Sequence, residues 1–157
     1  MIVVTYDDLL IEAETERIIV KEKALNDNDG RIYGNRVAIR KNISSSVEKS
    51  CVLAEELGHY YTTSGDIVSQ DETGNKKQEY KARLWGYNKK VGLQGLIQSF
   101  NHGCQSWEET AEFLDVTEEY LTEVINCYRS KYGVCTTVDN YIICFEPYYG
   151  IAKIDYN

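Results

Sequence analysis

The spacing of apolar residues along this chain changes period several times, and each change marks an element. Tyr6, Leu9, Leu10 and Ala13 recur at helical spacing, and Thr5 with Asp8 ahead of them has the form of a capping box. A first helix is predicted over residues 6–16. The stretch "RIIVKEKAL" alternates and is β-branched, which predicts a strand over residues 18–23. The polar "NDNDG" at residues 26–30 reads as a loop. "RIYGNRVAIRKN" then reads as a hairpin, with Gly34-Asn35 accepting positive φ and Val37 and Ile39 facing inward.

Ser45 with Glu48 forms a second capping box and opens another helix, on which Val47, Cys51, Ala54 and Gly58 line one side. The glycine-punctuated "SGDIVSQDETGN" at residues 64–75 is expected to be a connecting loop. A third helix follows over residues 76–91. Tyr80, Arg83, Leu84 and Tyr87 lie along one of its stripes, and Glu79, Ala82 and Gly86 along another. Ser106 with Glu109 caps a further helix, and "DVT" at residues 115–117 leads into a last one through Tyr120, Leu121, Val124, Ile125 and Tyr128. Two short helices joined by three residues have the pattern of a helix-turn-helix. Beyond Gly133 the chain is β-like, with a turn expected at Asp139-Asn140. The whole reads as α+β: an α+β domain over residues 1–93, a helical unit over 94–132 and a β-like tail over 133–157.

With 17 basic and 25 acidic residues, the 157-residue chain carries a net charge of −8, which argues against wrapping nucleic acid. Its nearest basic candidates, Arg40 to Asn42 and Asn88 to Lys90, read as solvated surface. Thirteen Tyr against three Phe suggests many side chains that pack on one side and meet a polar partner on the other. Five cysteines, with no C-x-x-C pair, exclude a zinc ribbon and fit free thiols in a reducing cytoplasm. The opening "MIVV" is too short for a membrane span of about 20 apolar residues. A cytoplasmic protein with no membrane partner is expected.

The chemistry concentrates in "LAEELGHYYTT", residues 53–63. Glu55 and His59 stand four apart and share a helical face, so both can reach one metal ion. Glu56 is rotated one position away, where H-E-x-x-H proteins keep the carboxylate that takes a proton from water. Glu79, on the next helix, is positioned in sequence to supply a third ligand. A Glu-His-Glu set cancels the charge of a divalent cation, where His-His-Glu would leave one positive charge. Water is then polarised less, and harder ions such as manganese or iron(II) become competitive with zinc. Glu-Glu-x-x-His also occurs on exposed helices with no ligand role. The mid-helix Gly58 points the other way, because a glycine there costs about 1 kcal/mol and marks close packing. The other histidine, His102, falls in the loop "NHGC" with nothing spaced to join it as a ligand.

These segments together resemble the ImmA/IrrE family of metallopeptidases. The resemblance rests on "LAEELGHYYTT", on "QEYKARLWGY" at residues 78–87, on the hairpin "GRIYGNRVAI" and on "WEETAEFLDVTEEYL", and it spans about residues 6–132. It implies a gluzincin-like metallopeptidase domain with a small antiparallel sheet, followed by a helix-turn-helix-like unit and a short β tail. It implies a zinc-dependent endopeptidase in which His59 is a metal ligand, Glu56 the catalytic base, and Glu79 with Ala82 the E-x-x-A motif of the remaining ligand. Glu55 stands where the family has its first histidine. The partner implied is a helix-turn-helix repressor of a phage or integrative element, either cleaved or, in an inactive relative, sequestered. The second helix of the helix-turn-helix carries Glu118, Glu119 and Glu123, so it is expected to dock protein rather than read DNA.

Overall fold

The computed structural model describes residues 3–63 and 72–155, and its α+β chain divides into two compact units, Val4–Lys90 and the residues from Val91 on. In the first unit, helix α1 (Tyr6–Thr15) begins at a complete capping box: the Thr5 hydroxyl accepts from the Asp8 N–H, and the Asp8 carboxylate accepts from the Thr5 N–H. Strands β1 (Ile19–Lys23), β2 (Gly30–Tyr33) and β3 (Arg36–Arg40) form a sheet in the order β1-β3-β2. The two-residue turn has Gly34 at φ +59°, as the hairpin pattern requires.

The sheet is mixed, not wholly antiparallel as expected. β2 pairs antiparallel with β3, but β1 pairs parallel with it, Val20 against Val37 and Glu22 against Ile39. Burial explains the order. β3 carries Val37 and Ile39, both buried, and takes the centre, while β1 and β2, which have no fully buried position, take the edges. Alternation sends Lys21, Lys23, Arg31 and Arg36 to the outer face.

Helices α2 (Ser46–Thr62) and α3 (Glu72–Lys90) complete this unit. The Ser45 hydroxyl caps α2 by accepting from the Glu48 N–H, while the Glu48 carboxylate accepts from the Ser44 hydroxyl instead of closing a full box. Leu53, Ala54 and Leu57 of α2 join Leu9, Ala13, Val37 and Ile39 in the core. The expected loop to residue 75 is corrected at its end, because α3 already starts at Glu72; residues 64–71 of that loop lie outside the described residues.

The two helices meet almost backbone to backbone. A Cβ at Gly58 would lie 2.1 Å from the Ala82 carbonyl oxygen, so only glycine fits there, and Ala82 is itself fully buried. Tyr61 of α2 also stacks on Trp85 of α3, with ring centroids 4.9 Å apart. The end of α3 is anchored as well. Lys89 pairs with Glu12 at 2.6 Å, and Lys90 donates to the Val4 carbonyl. Lys90 was expected in solvated surface; it is buried, its ammonium held by that carbonyl and its stem among apolar neighbours.

In the second unit, α4 (Gly92–His102), α5 (Trp107–Leu114) and α6 (Glu118–Tyr132) precede an antiparallel sheet of β4 (Cys135–Val138), β5 (Tyr141–Cys144) and β6 (Gly150–Lys153). His102 does not sit in a loop. It ends α4, which closes on Gly103 at φ +95°, and its ring packs 4.6 Å from Phe113. Thr117 caps α6 after a three-residue connection in which Asp115 takes the left-handed conformation at φ +55°. Tyr128, Ile143 and Phe145 are fully buried, so strands and helices of this unit share a core. The tyrosine-rich tail divides: Tyr148 is exposed, while Tyr149 packs on Trp107 and lines a cavity of about 440 Å³.

Adding a methyl at position 58 tests the helix contact. Overpacking costs about 1–3 kcal/mol, against about 1 kcal/mol gained in helix propensity. Gly58→Ala is therefore expected to lower the urea midpoint, and an unchanged or raised midpoint would show that the helices tolerate a wider spacing.

Candidate metal centre

The close approach of α2 and α3 determines what faces what beside it. On α2, Glu55 and His59 are one turn apart on the side toward α3; on α3, Glu79 and Arg83 are one turn apart on the side toward α2. With Gly58 seated against Ala82, the side chains flanking that contact converge. One ligand atom each from Glu55, His59 and Glu79 lies within 4.8 Å of the others, and His59 Nε2 stands 3.6 Å from Glu79 Oε1.

Two carboxylates and an imidazole at this spacing are a donor set that a divalent cation accepts, so the three side chains could hold a metal ion. Their exposure fits that use. Glu55 and His59 are half-buried and Glu79 is exposed, so an ion has a path in from solvent. The sequence-predicted residues Glu55, His59 and Glu79 are thus brought together, and His102, on the other unit's α4, is not among them.

Glu56 adjoins this cluster but is rotated toward β2 by its helical position. Strand β2 begins against it: a Cβ at Gly30 would lie 2.8 Å from Glu56 Oε1 and 2.8 Å from Val52 Cγ1. The absence of a side chain at residue 30 is what lets the edge strand lie over this carboxylate. Burial, with the charges of Glu55 and Glu79 adding to it, pushes the Glu56 carboxyl up to about 7.

Arg83, which is not a motif residue, also belongs to the cluster. Its Nε is 3.5 Å from Glu55 Oε1 and 3.9 Å from Glu79 Oε2, bridging both helices. The signal in the sequence is the i, i+4 spacing of Glu79 and Arg83, although the helical pattern assigns the two to adjacent stripes. Arg83 supplies one positive charge beside a ligand set that holds one more negative charge than His-His-Glu would. The local charge of a loaded Glu-His-Glu site with Arg83 beside it therefore equals that of His-His-Glu alone.

Compared with protein-family models, with curated proteins and with solved structures, the chain matches none. Among the described residues, no helix is long and apolar enough to cross a membrane.

Two measurements follow from these electrostatics. The folded chain keeps the Glu56 proton up to about pH 7, whereas an unfolded chain releases it near the ordinary 4.5. Native protein binds more protons inside that window, so this group's contribution to stability falls as pH rises through it. In chelator-treated protein, Glu56→Gln is expected to exceed the wild type in stability at about pH 8 by up to about 3 kcal/mol. The gap should close below about pH 4.5, as read by urea unfolding across pH. Arg83→Ala removes a half-exposed charge whose repulsion of a nearby divalent ion is worth about 1–2 kcal/mol in high dielectric. Zinc and manganese affinities measured by calorimetry are therefore expected to rise about tenfold.

Proposed function

We propose that this protein is a metal-dependent endopeptidase of the ImmA/IrrE type, acting on a helix-turn-helix repressor of a phage or other mobile element. The observation that carries the reading is the convergence of Glu55, His59 and Glu79 from two helices, with Glu56 beside them under the edge of the sheet. The order of elements, from the hairpin through the motif helix to the paired helices α5 and α6, adds support. The first unit is then a gluzincin-like domain and the second a helix-turn-helix-like docking element.

Glu55, His59 and Glu79 would hold the ion, with zinc as the first expectation and manganese or iron(II) favoured more than in a His-His-Glu site. When bound, a divalent cation supplies Lewis acidity toward a peptide carbonyl and toward water. Glu56 takes a proton from the attacking water onto a carboxylate oxygen and returns it to the departing amide nitrogen. Burial raises this carboxyl, which favours its keeping a proton once it has taken one. Gly30 holds water out from one side of this carboxylate by letting β2 cover it.

The partner comes from the family resemblance, and the charge of the second unit agrees with it. Residues 91–157 hold ten acidic residues against three basic, a surface complementary to a basic DNA-binding protein and ill suited to DNA itself. The cell interior, where such a repressor works, is the expected location.

A second reading has its own observation. Arg83 reaches both Glu55 and Glu79, so these carboxylates have a cationic partner without any ion. On that reading the chain keeps the fold, binds the repressor and sequesters it.

Purified protein supplied with zinc or manganese, mixed with the helix-turn-helix repressor of its own genetic element, distinguishes the two. Wild type is expected to cut the repressor. Glu56→Gln is expected to lose cleavage by at least about 100-fold while still pulling the repressor down. Repressor binding without cleavage by the metal-supplied wild type would favour sequestration, and unchanged cleavage by Glu56→Gln would remove the assigned base.

A further inference from the structure

The second unit sets two of the five cysteines face to face. Cys135 on β4 and Cys144 on β5 are directly opposed in the antiparallel register. Just outside them the Phe145 N–H donates to the Val134 carbonyl at 2.8 Å, which makes residues 134 and 145 a hydrogen-bonded pair. Because the two kinds of pair alternate, Cys135 and Cys144 are a non-hydrogen-bonded pair, where facing side chains come closest. Cα atoms in such a pair lie about 4.5 Å apart, inside the span that a disulfide bridges.

The two side chains already interact. The Cys135 thiol is pushed up from its ordinary value, first by a hydrogen bond with the Cys144 side chain and then by burial. Small molecules have access to the pair. Ile143, one residue before Cys144, is fully buried, so alternation turns the two thiols to the opposite face of the sheet, where both are half-buried. On the far side of Cys144 its register partner on β6 is Gly150, which brings no side chain, and nothing lies within 4 Å of where its Cβ would be.

We propose that Cys135 and Cys144 form a site of reversible thiol oxidation whose substrate is a low-molecular-weight disulfide of the glutathione class. One cysteine, as its thiolate, attacks a sulfur of the small disulfide; the S–S bond breaks and one small thiolate leaves with the electron pair. The second cysteine gives its proton to solvent, and its sulfur attacks the cysteine sulfur of the mixed disulfide. That expels the second small thiolate and closes a bond between β4 and β5. The pair loses two electrons, the small disulfide gains them, and an excess of the small thiol drives both steps backward. Closure needs no change of strand register, because the partners are already opposed.

The site shares no residue with the candidate metal centre, so its test is independent of the endopeptidase reading. Full-length protein is incubated with oxidised glutathione, then alkylated and weighed by mass spectrometry. In the wild type a loss of about 2 Da before alkylation is expected, with three of the five thiols left to alkylate. Reduced glutathione should restore all five. Cys135→Ser and the strand-favouring Cys135→Val should each stop at one glutathione on Cys144, and Cys51→Ser should close the bond as the wild type does. A wild type that keeps glutathione without ring closure, reacts at neither thiol, or closes a bond that survives Cys135 replacement would overturn the proposal.

Discussion

The candidate site depends on one steric fact: Gly58 of α2 lies against the backbone of Ala82 on α3, at a distance where no Cβ fits. Helices normally pack with axes about 8–10 Å apart, held off by their side chains. Removing the side chain on one helix and shrinking it on the other brings the backbones together. The long side chains on either side of the contact, Glu55 and His59 on one helix and Glu79 and Arg83 on the other, then have nowhere to go but toward one another. The Tyr61–Trp85 stack adds a second contact between the same two helices.

Charge is the second organising factor. Three carboxylates gather where the helices meet, and they are handled in different ways. Glu55 and Glu79 stay within reach of solvent and of the Arg83 guanidinium. Glu56, turned beneath β2, has no such relief, and burial beside two like charges makes its proton hard to remove. Identical neighbouring groups thereby acquire different tendencies to ionise, an arrangement suited to one carboxylate binding a cation and another moving a proton.

Much of the framework could be read in advance because it is written in local signals. Thr5 with Asp8, Ser45 and Ser106 start helices through hydroxyls that accept the orphan N–H groups, and Gly34-Asn35 and Asp139-Asn140 mark the two-residue turns. Helix α4 escaped notice although Leu93, Leu96, Ile97 and Phe100 have helical spacing. Val91 offers no side-chain cap, and Gly92 and Gly95 lower the helix propensity of the stretch. The parallel pairing of β1 with β3 is a long-range choice governed by which strand carries the most apolar face, and no local signal encodes it. For the site, the Glu55, His59 and Glu79 spacing was visible. The reach of Arg83 across to Glu55 depends on how two helices are rotated against each other, and that is decided by Gly58 and Ala82, not by anything near residue 83.

Gly30 bears no functional atom and stands on a strand edge well before the motif helix, yet it touches the wall of the centre. A methyl group there would meet the mobile end of the Glu56 side chain as well as Val52 Cγ1, and of these the carboxylate end yields more readily than the strand. Under the proposed function, residue 30 would group with residues 55, 56, 59 and 79 by phenotype in a saturation-mutagenesis map. It would do so by shape alone, as a mould around a group it does not itself supply.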